Sequence, residues 1–266
     1  MELNNILIAF GLTLFAGLST GIGSALAFFT KHTNKKALSI ALGFSAGVMI
    51  YVSFVEILGE AFARLTESHG EVVGSWYTVG AFFVGVIVIA VIDRLIPSYE
   101  NPHEVHKVED LGKQECKKLK RMGIFVALAI AIHNFPEGFA TFTTAMVDLK
   151  LGIAIAVAIA IHNIPEGIAV SFPIYCATGD KKKAFKYSFL SGLAEPLGAL
   201  VGYFFICQNV TDECLGFILA GVAGVMVFIS LDELLPAARE YGQPHMAIYG
   251  VFVGMAVMAV SLLLFI

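Results

Sequence analysis

The sequence predicts an all-α integral membrane protein of eight transmembrane helices with both termini outside. Three observations carry this. Of 266 residues, 58% are hydrophobic and only 14% charged, against about 25% charged in soluble domains, and the mean hydropathy is +0.81. Eight apolar stretches are each long enough for a helix to cross a hydrocarbon core, which needs about 20 residues. Of the 17 Lys and Arg residues, fifteen lie in alternate loops, and the positive-inside rule makes that side cytoplasmic.

The first stretch, Leu3–Phe29, has only Glu2 before it, so it reads as a retained helix and not a cleaved leader. Lys31, Lys35 and Lys36 separate it from the second, Ala37–Phe62. The third, Trp76–Ile96, runs into a charged loop over about 97–121 that holds His103 and His106. The fourth, Met122–Met146, and the fifth, Leu151–Cys176, are joined by Val147–Lys150, short enough to force an antiparallel hairpin. Lys181, Lys182, Lys183 and Lys186 mark the inner side before and at the start of the sixth, Phe185–Cys207. The seventh, Leu215–Leu235, and the eighth, Met246–Ile266, complete the chain as one transmembrane domain over 1–266. Arg64 and Lys150 are the only basic residues assigned to the outer side. The four cysteines have no metal-ligand spacing, and they read as small apolar residues in preference to a Cys207–Cys214 disulfide.

One six-residue phrase occurs twice, each time inside a hydrophobic span: His133-Asn134-Phe135-Pro136-Glu137-Gly138 and His162-Asn163-Ile164-Pro165-Glu166-Gly167. A charged side chain at the centre of a membrane helix costs roughly 2.5 to 3.5 kcal/mol. A chain that places the same costly set on two neighbouring helices is building one site from two halves. Residues four apart share a helix face, so His133 points with Glu137 and His162 with Glu166, and the asparagines give each glutamate a second polar neighbour. Pro136 and Pro165 cannot donate to the carbonyls four residues before them, which predicts a bend and a freed carbonyl oxygen at each phrase. Glu195, in Gly192-Leu193-Ala194-Glu195-Pro196, adds an isolated carboxylate at the centre of the sixth span.

A second repeat relates two distant spans. Ala46-Gly47-Val48-Met49 recurs as Ala223-Gly224-Val225-Met226, followed in register by Ser53/Ser230, Glu56/Glu233, Leu58/Leu235 and Ala61/Ala238, at a constant offset of 177 residues. The second and seventh spans run in opposite directions in this topology, as do the fourth and fifth. Duplicated helices of opposite sense are characteristic of inverted-repeat transporters with a site near the midplane. Glu56, Asp93, Asp232 and Glu233 then become candidate pathway acids flanking that site.

Imidazole with carboxylate suits first-row divalent ions such as Zn²⁺, Fe²⁺ or Mn²⁺. The lack of thiolate argues against Cu(I), and the histidines argue against Ca²⁺ and Mg²⁺. Two glutamates balance one dication. With Asn134, Asn163 and Glu195 there is oxygen enough for a second ion, Glu137 and Glu166 serving as bridges.

These residues resemble the ZIP (Zrt-, Irt-like) family of metal transporters over the whole chain, through the paired H-N-x-P-E-G phrases, the eight spans and the cytoplasmic loop after the third. The resemblance implies a 3+2+3 helix arrangement with inverted repeats and a binuclear centre between the fourth, fifth and sixth spans. One metal would use His133, Glu137, His162 and Glu166, and the other Asn134, Glu137, Asn163, Glu166 and Glu195. It implies transport of Zn²⁺ and Fe²⁺, with Mn²⁺, Co²⁺ and Cd²⁺ as further candidates, across a bacterial cytoplasmic (inner) membrane. No cofactor and no nucleic-acid partner are expected. Divalent ions and membrane lipid are the expected partners, and a homodimer is left open. The competing reading is a membrane-embedded metal-dependent hydrolase, which needs an open metal position and a general base. No H-E-x-x-H motif is present, and duplicated half-sites fit a pathway better than an asymmetric catalytic centre.

Overall fold

The computed structural model describes residues 3–27, 35–95, 116–147, 149–207, 211–241 and 244–264. Every element among them is helical: α1 (Leu3–Ala27), α2 (Lys35–Tyr51), a π turn (Val52–Ile57), α3 (Leu58–His69), α4 (Glu71–Leu95), α5 (Cys116–Val147), α6 (Leu149–Thr178), α7 (Lys181–Gly192), α8 (Ala194–Cys207), α9 (Asp212–Ile229), a second π turn (Ser230–Leu234), α10 (Leu235–Tyr241) and α11 (Pro244–Leu263). In a membrane the backbone must satisfy its own hydrogen bonds, and continuous helices do so. Five stretches among the described residues are long and apolar enough to cross a bilayer: Leu3–Ala25, Ser39–His69, Glu71–Arg94, Asp212–Leu234 and His245–Leu263. The loop expected over 97–121 lies almost wholly outside the described residues.

The helices pack as two groups. In one, α1 packs chiefly on α6, and α5 packs on α6 and α8. In the other, α2 packs on α11, and α4 on α9. Contacts of α2 and α11 with α6, and of α5 with α9, join the groups. Small residues permit the close approach. A side chain at Gly47 would strike the Val251 carbonyl oxygen, and one at Gly224 would strike that of Phe82. Those two glycines correspond in the 177-residue repeat. Leu42, Met49, Ile155, Ile159 and Met226 fill a buried core that spans both groups. The outward faces of α4 and α11 stay apolar, with Phe83, Val84, Ile87, Phe252 and Val253 exposed, as helices bordering lipid require.

Three features of the backbone exceed what the apolar pattern foretells. The helix from Lys35 to His69 and the one from Asp212 to Tyr241 are each interrupted by a π turn. Residues Ser53–Ile57 of the first turn match Ser230–Leu234 of the second at the 177-residue offset, and each turn carries one of the paired glutamates, Glu56 and Glu233. The sixth apolar stretch is not one rod but α7 and α8, divided at Leu193. Pro196 has no N–H for the Gly192 carbonyl, so that turn cannot close. By contrast α5 and α6 remain helical through Pro136 and Pro165.

Candidate metal site

The fourth and fifth apolar stretches form α5 and α6, and their doubled phrases meet. Asn134, Glu137, His162, Asn163, Glu166 and Glu195 are all fully buried. His162 Nε2 lies 3.2 Å from Glu137 Oε1 on the neighbouring helix and 3.9 Å from Glu166 Oε1 one turn along its own. One imidazole nitrogen is therefore within ligand-sharing reach of both glutamates. The helical face expected for His162 and Glu166 is the one observed.

Glu195 joins this cluster from the first turn of α8, where its Oε1 accepts a hydrogen bond from Asn163 Nδ2. The same Nδ2 donates at 2.9 Å to the Ala16 carbonyl of α1, and Asn134 Nδ2 donates at 3.4 Å to the Ser191 carbonyl of α7. With their amide nitrogens committed as donors, both asparagines keep Oδ1 as an unengaged acceptor. Neither oxygen has a hydrogen-bond partner among the described residues, nor does Glu195 Oε2. Buried acceptors left in this state are costly unless something meets them. The His133 side chain lies outside the described residues, as do His103 and His106.

Ser45 of α2 was not singled out by sequence. Its Oγ donates to Glu166 Oε1 at 3.1 Å and lies 3.4 Å from the His162 carbonyl oxygen, so the α2 group reaches into the cluster. Nothing in the sequence distinguishes it from Ser39 or Ser53 on the same apolar helix. The Ser188 hydroxyl donates to the Gly167 carbonyl at 3.1 Å, bracing α7 against the second phrase.

The four candidate pathway acids lie on elements other than α5, α6 and α8. Glu56 is half-buried in the first π turn, eleven residues past Ser45 and so about 16 Å along a helix at 1.5 Å per residue. Asp232 is exposed and Glu233 half-buried in the second π turn, and Asp93 is half-buried near the C-terminal end of α4. In the middle of α3, Arg64 pairs with Glu60 at 2.6 Å and with Asp212 at the start of α9. His69 Nε2 lies 3.1 Å from Glu213 Oε1. Glu60 and Arg64 line a cavity of about 180 Å³ with Thr143 and Thr144 of α5. Cys214 is a free thiol.

Comparison with known proteins agrees with this chemistry. The family described as ZIP zinc transporter matches residues 96–262. The chain is 62% identical to the zinc transporter ZupT of Nitratidesulfovibrio vulgaris, covering 98% of each chain. It is 62% identical to the ZupT of Streptococcus mutans, over 98% of this chain and 99% of that one. The corresponding protein of Oceanobacillus iheyensis is 63% identical with the same coverage.

Proposed function

The chain belongs to the ZIP zinc transporter family, and we propose that it carries zinc into the cell through a buried site built by α5, α6 and α8. It is a multi-pass membrane transporter of the bacterial inner membrane, moving divalent metal ions and catalysing no reaction, which sets aside the hydrolase reading. The observation that carries the site assignment is His162 Nε2 poised between Glu137 and Glu166, all three fully buried. Three carboxylates and an imidazole form a strong divalent-metal donor set.

In this reading Glu137, His162 and Glu166 hold one ion, with His133 as the fourth donor. Asn134, Asn163 and Glu195 supply oxygen for a second ion shared with the two glutamates. Zn²⁺ favours the imidazole end, and the oxygen donors extend the cargo to Fe²⁺, with Mn²⁺, Co²⁺ and Cd²⁺ as further candidates. The chain is one domain over 1–266 with eight crossings, arranged 3+2+3 as inverted repeats with both termini outside. Support for the inversion comes from the paired π turns and from the packing of α2 on α11 matched by that of α9 on α4. The cavity at Glu60 and Arg64 then opens on the outer side, and Glu56 and Glu233 flank the site from opposite ends.

A dication moving into a negative interior gains about 4.6 kcal/mol per 100 mV, twice the single-charge value. The test is zinc influx into proteoliposomes with membrane potential and pH gradient set independently, and peptide or lipid cleavage followed in parallel. Zinc influx without cleavage is the expected result. Absence of influx from correctly inserted protein contradicts the proposal.

A further inference from the structure

The helices that flank the doubled phrase correspond to one another residue by residue. On one side Asn134 donates to the Ser191 carbonyl, Gly138 lies against the Glu195 backbone, and Gly198 lies against the Phe135 carbonyl. On the other side Asn163 donates to the Ala16 carbonyl, Gly167 lies against the Thr20 carbonyl, and Gly23 lies against the Ile164 carbonyl. Asn134 and Asn163, Phe135 and Ile164, Gly138 and Gly167 are corresponding letters of the two phrases. Their partners therefore pair as Ala16 with Ser191, Thr20 with Glu195 and Gly23 with Gly198, at one offset of 175 residues. Thr20 stands beside the second phrase where Glu195 stands beside the first.

The Thr20 hydroxyl has been released from its usual duty. A buried helical threonine ordinarily donates to the carbonyl four residues earlier, and Thr13 does so to Ala9 at 3.0 Å. For Thr20 that carbonyl is Ala16, which already accepts from Ser19 Oγ at 2.6 Å and from Asn163 Nδ2 at 2.9 Å. Thr20 is fully buried, and its Oγ1 has no hydrogen-bond partner among the described residues. Gly192, at the α7–α8 break, provides the space: a Cβ there would fall 3.0 Å from Thr20 Oγ1. The Asn163 amide that displaces the hydroxyl from Ala16 is the same group that holds Glu195.

We propose that Thr20 is a further site residue, lending its hydroxyl oxygen to the transported dication on the Glu166 side as the neutral counterpart of Glu195 on the Glu137 side. This rests on the midplane site proposed above. The asymmetry has a consequence for transport. A carboxylate in both places would give four buried acids and hold a dication tightly, whereas a hydroxyl adds a ligand atom without adding charge, and the ion can leave.

The test compares wild type, Thr20→Val, Thr20→Cys, Thr20→Ser and Glu166→Ala as full-length protein in proteoliposomes, with Zn²⁺ and Cd²⁺ in competition. Sulfur at position 20 should raise the cadmium-to-zinc uptake ratio about tenfold, because soft thiolate favours the softer ion. Thr20→Ser, which keeps the oxygen, should return the ratio to that of the wild type, and Thr20→Val should raise the KM for zinc several-fold. An unchanged ratio in a Thr20→Cys protein that inserts and transports overturns the proposal, since a purely structural threonine would scale both ions alike. If Thr20→Val fails to insert, the Cys-to-Ser comparison decides. Full activity in Glu166→Ala would overturn the midplane site itself, whatever Thr20 does.

Discussion

His162 Nε2 lies 3.2 Å from Glu137 Oε1 across the α5–α6 interface, and both side chains are fully buried. The two halves of the doubled phrase thus interlock: the histidine of the second addresses the glutamate of the first. A lone buried carboxylate and imidazole would be expensive in this setting. Placed together, they form a donor pair suited to a divalent cation.

His162→Ala should weaken zinc binding by at least about 100-fold, exceeding the effect usual for groups that touch a metal only through its ligands. Manganese, which depends less on imidazole, should lose less. Zinc and manganese titrations of the purified variant give the comparison. Equal losses for both ions would mean that the ring acts only in packing.

Glu195→Gln keeps a group able to accept from Asn163 but removes the carboxylate that the proposal assigns to a second, oxygen-rich ion position. The expected outcome is a changed iron-to-zinc ratio in competition uptake. A uniform fall for every metal would indicate one undivided site.

Ser45→Ala removes the hydrogen bond to Glu166 Oε1. A bond of this kind contributes on the order of 1 kcal/mol, more when its acceptor is charged. Uptake should therefore slow by about five- to tenfold and not vanish. Stopped-flow uptake on the inserted variant measures this, and a rate equal to wild type would show that Glu166 is oriented without Ser45.

Glu56 and Glu233 sit at matching points of the two π turns. Neutralising either should slow uptake while leaving affinity at the buried site nearly intact, since a carboxylate on another element than the buried cluster attracts a dication without contributing to its tight binding. Cysteines at the two positions should react with membrane-impermeant thiol reagents from outside at 56 and from inside at 233. Labelling of both from one face would refute the inverted topology.

Much of the site was legible because its residues are out of place in their surroundings. His162, Glu137 and Glu166 stand out in apolar helices, and the i, i+4 rule put His162 and Glu166 on one face, where the structure has them. The helix ends, the π turns and the break at Leu193 were not legible. Apolar periodicity does not register one extra residue in a turn, and Pro196 could equally have bent a continuous rod, as Pro136 and Pro165 leave α5 and α6 helical. Ser45 and Thr20 were hidden for another reason. Serine and threonine are ordinary in membrane helices, and their importance arises from which carbonyls and carboxylates are already engaged nearby.

In the proposed site two glutamates on neighbouring helices share the transported ion, and the decisive measurement is zinc uptake by Glu137→Ala and Glu166→Ala in proteoliposomes. Each variant removes a buried carboxylate beside His162 that the proposed site places on the cargo, a loss expected to cost about 2–5 kcal/mol. Both should lose more than about 95% of zinc influx while retaining the helical content and insertion of the wild type. Near-normal influx by either correctly inserted variant would contradict the two-helix site.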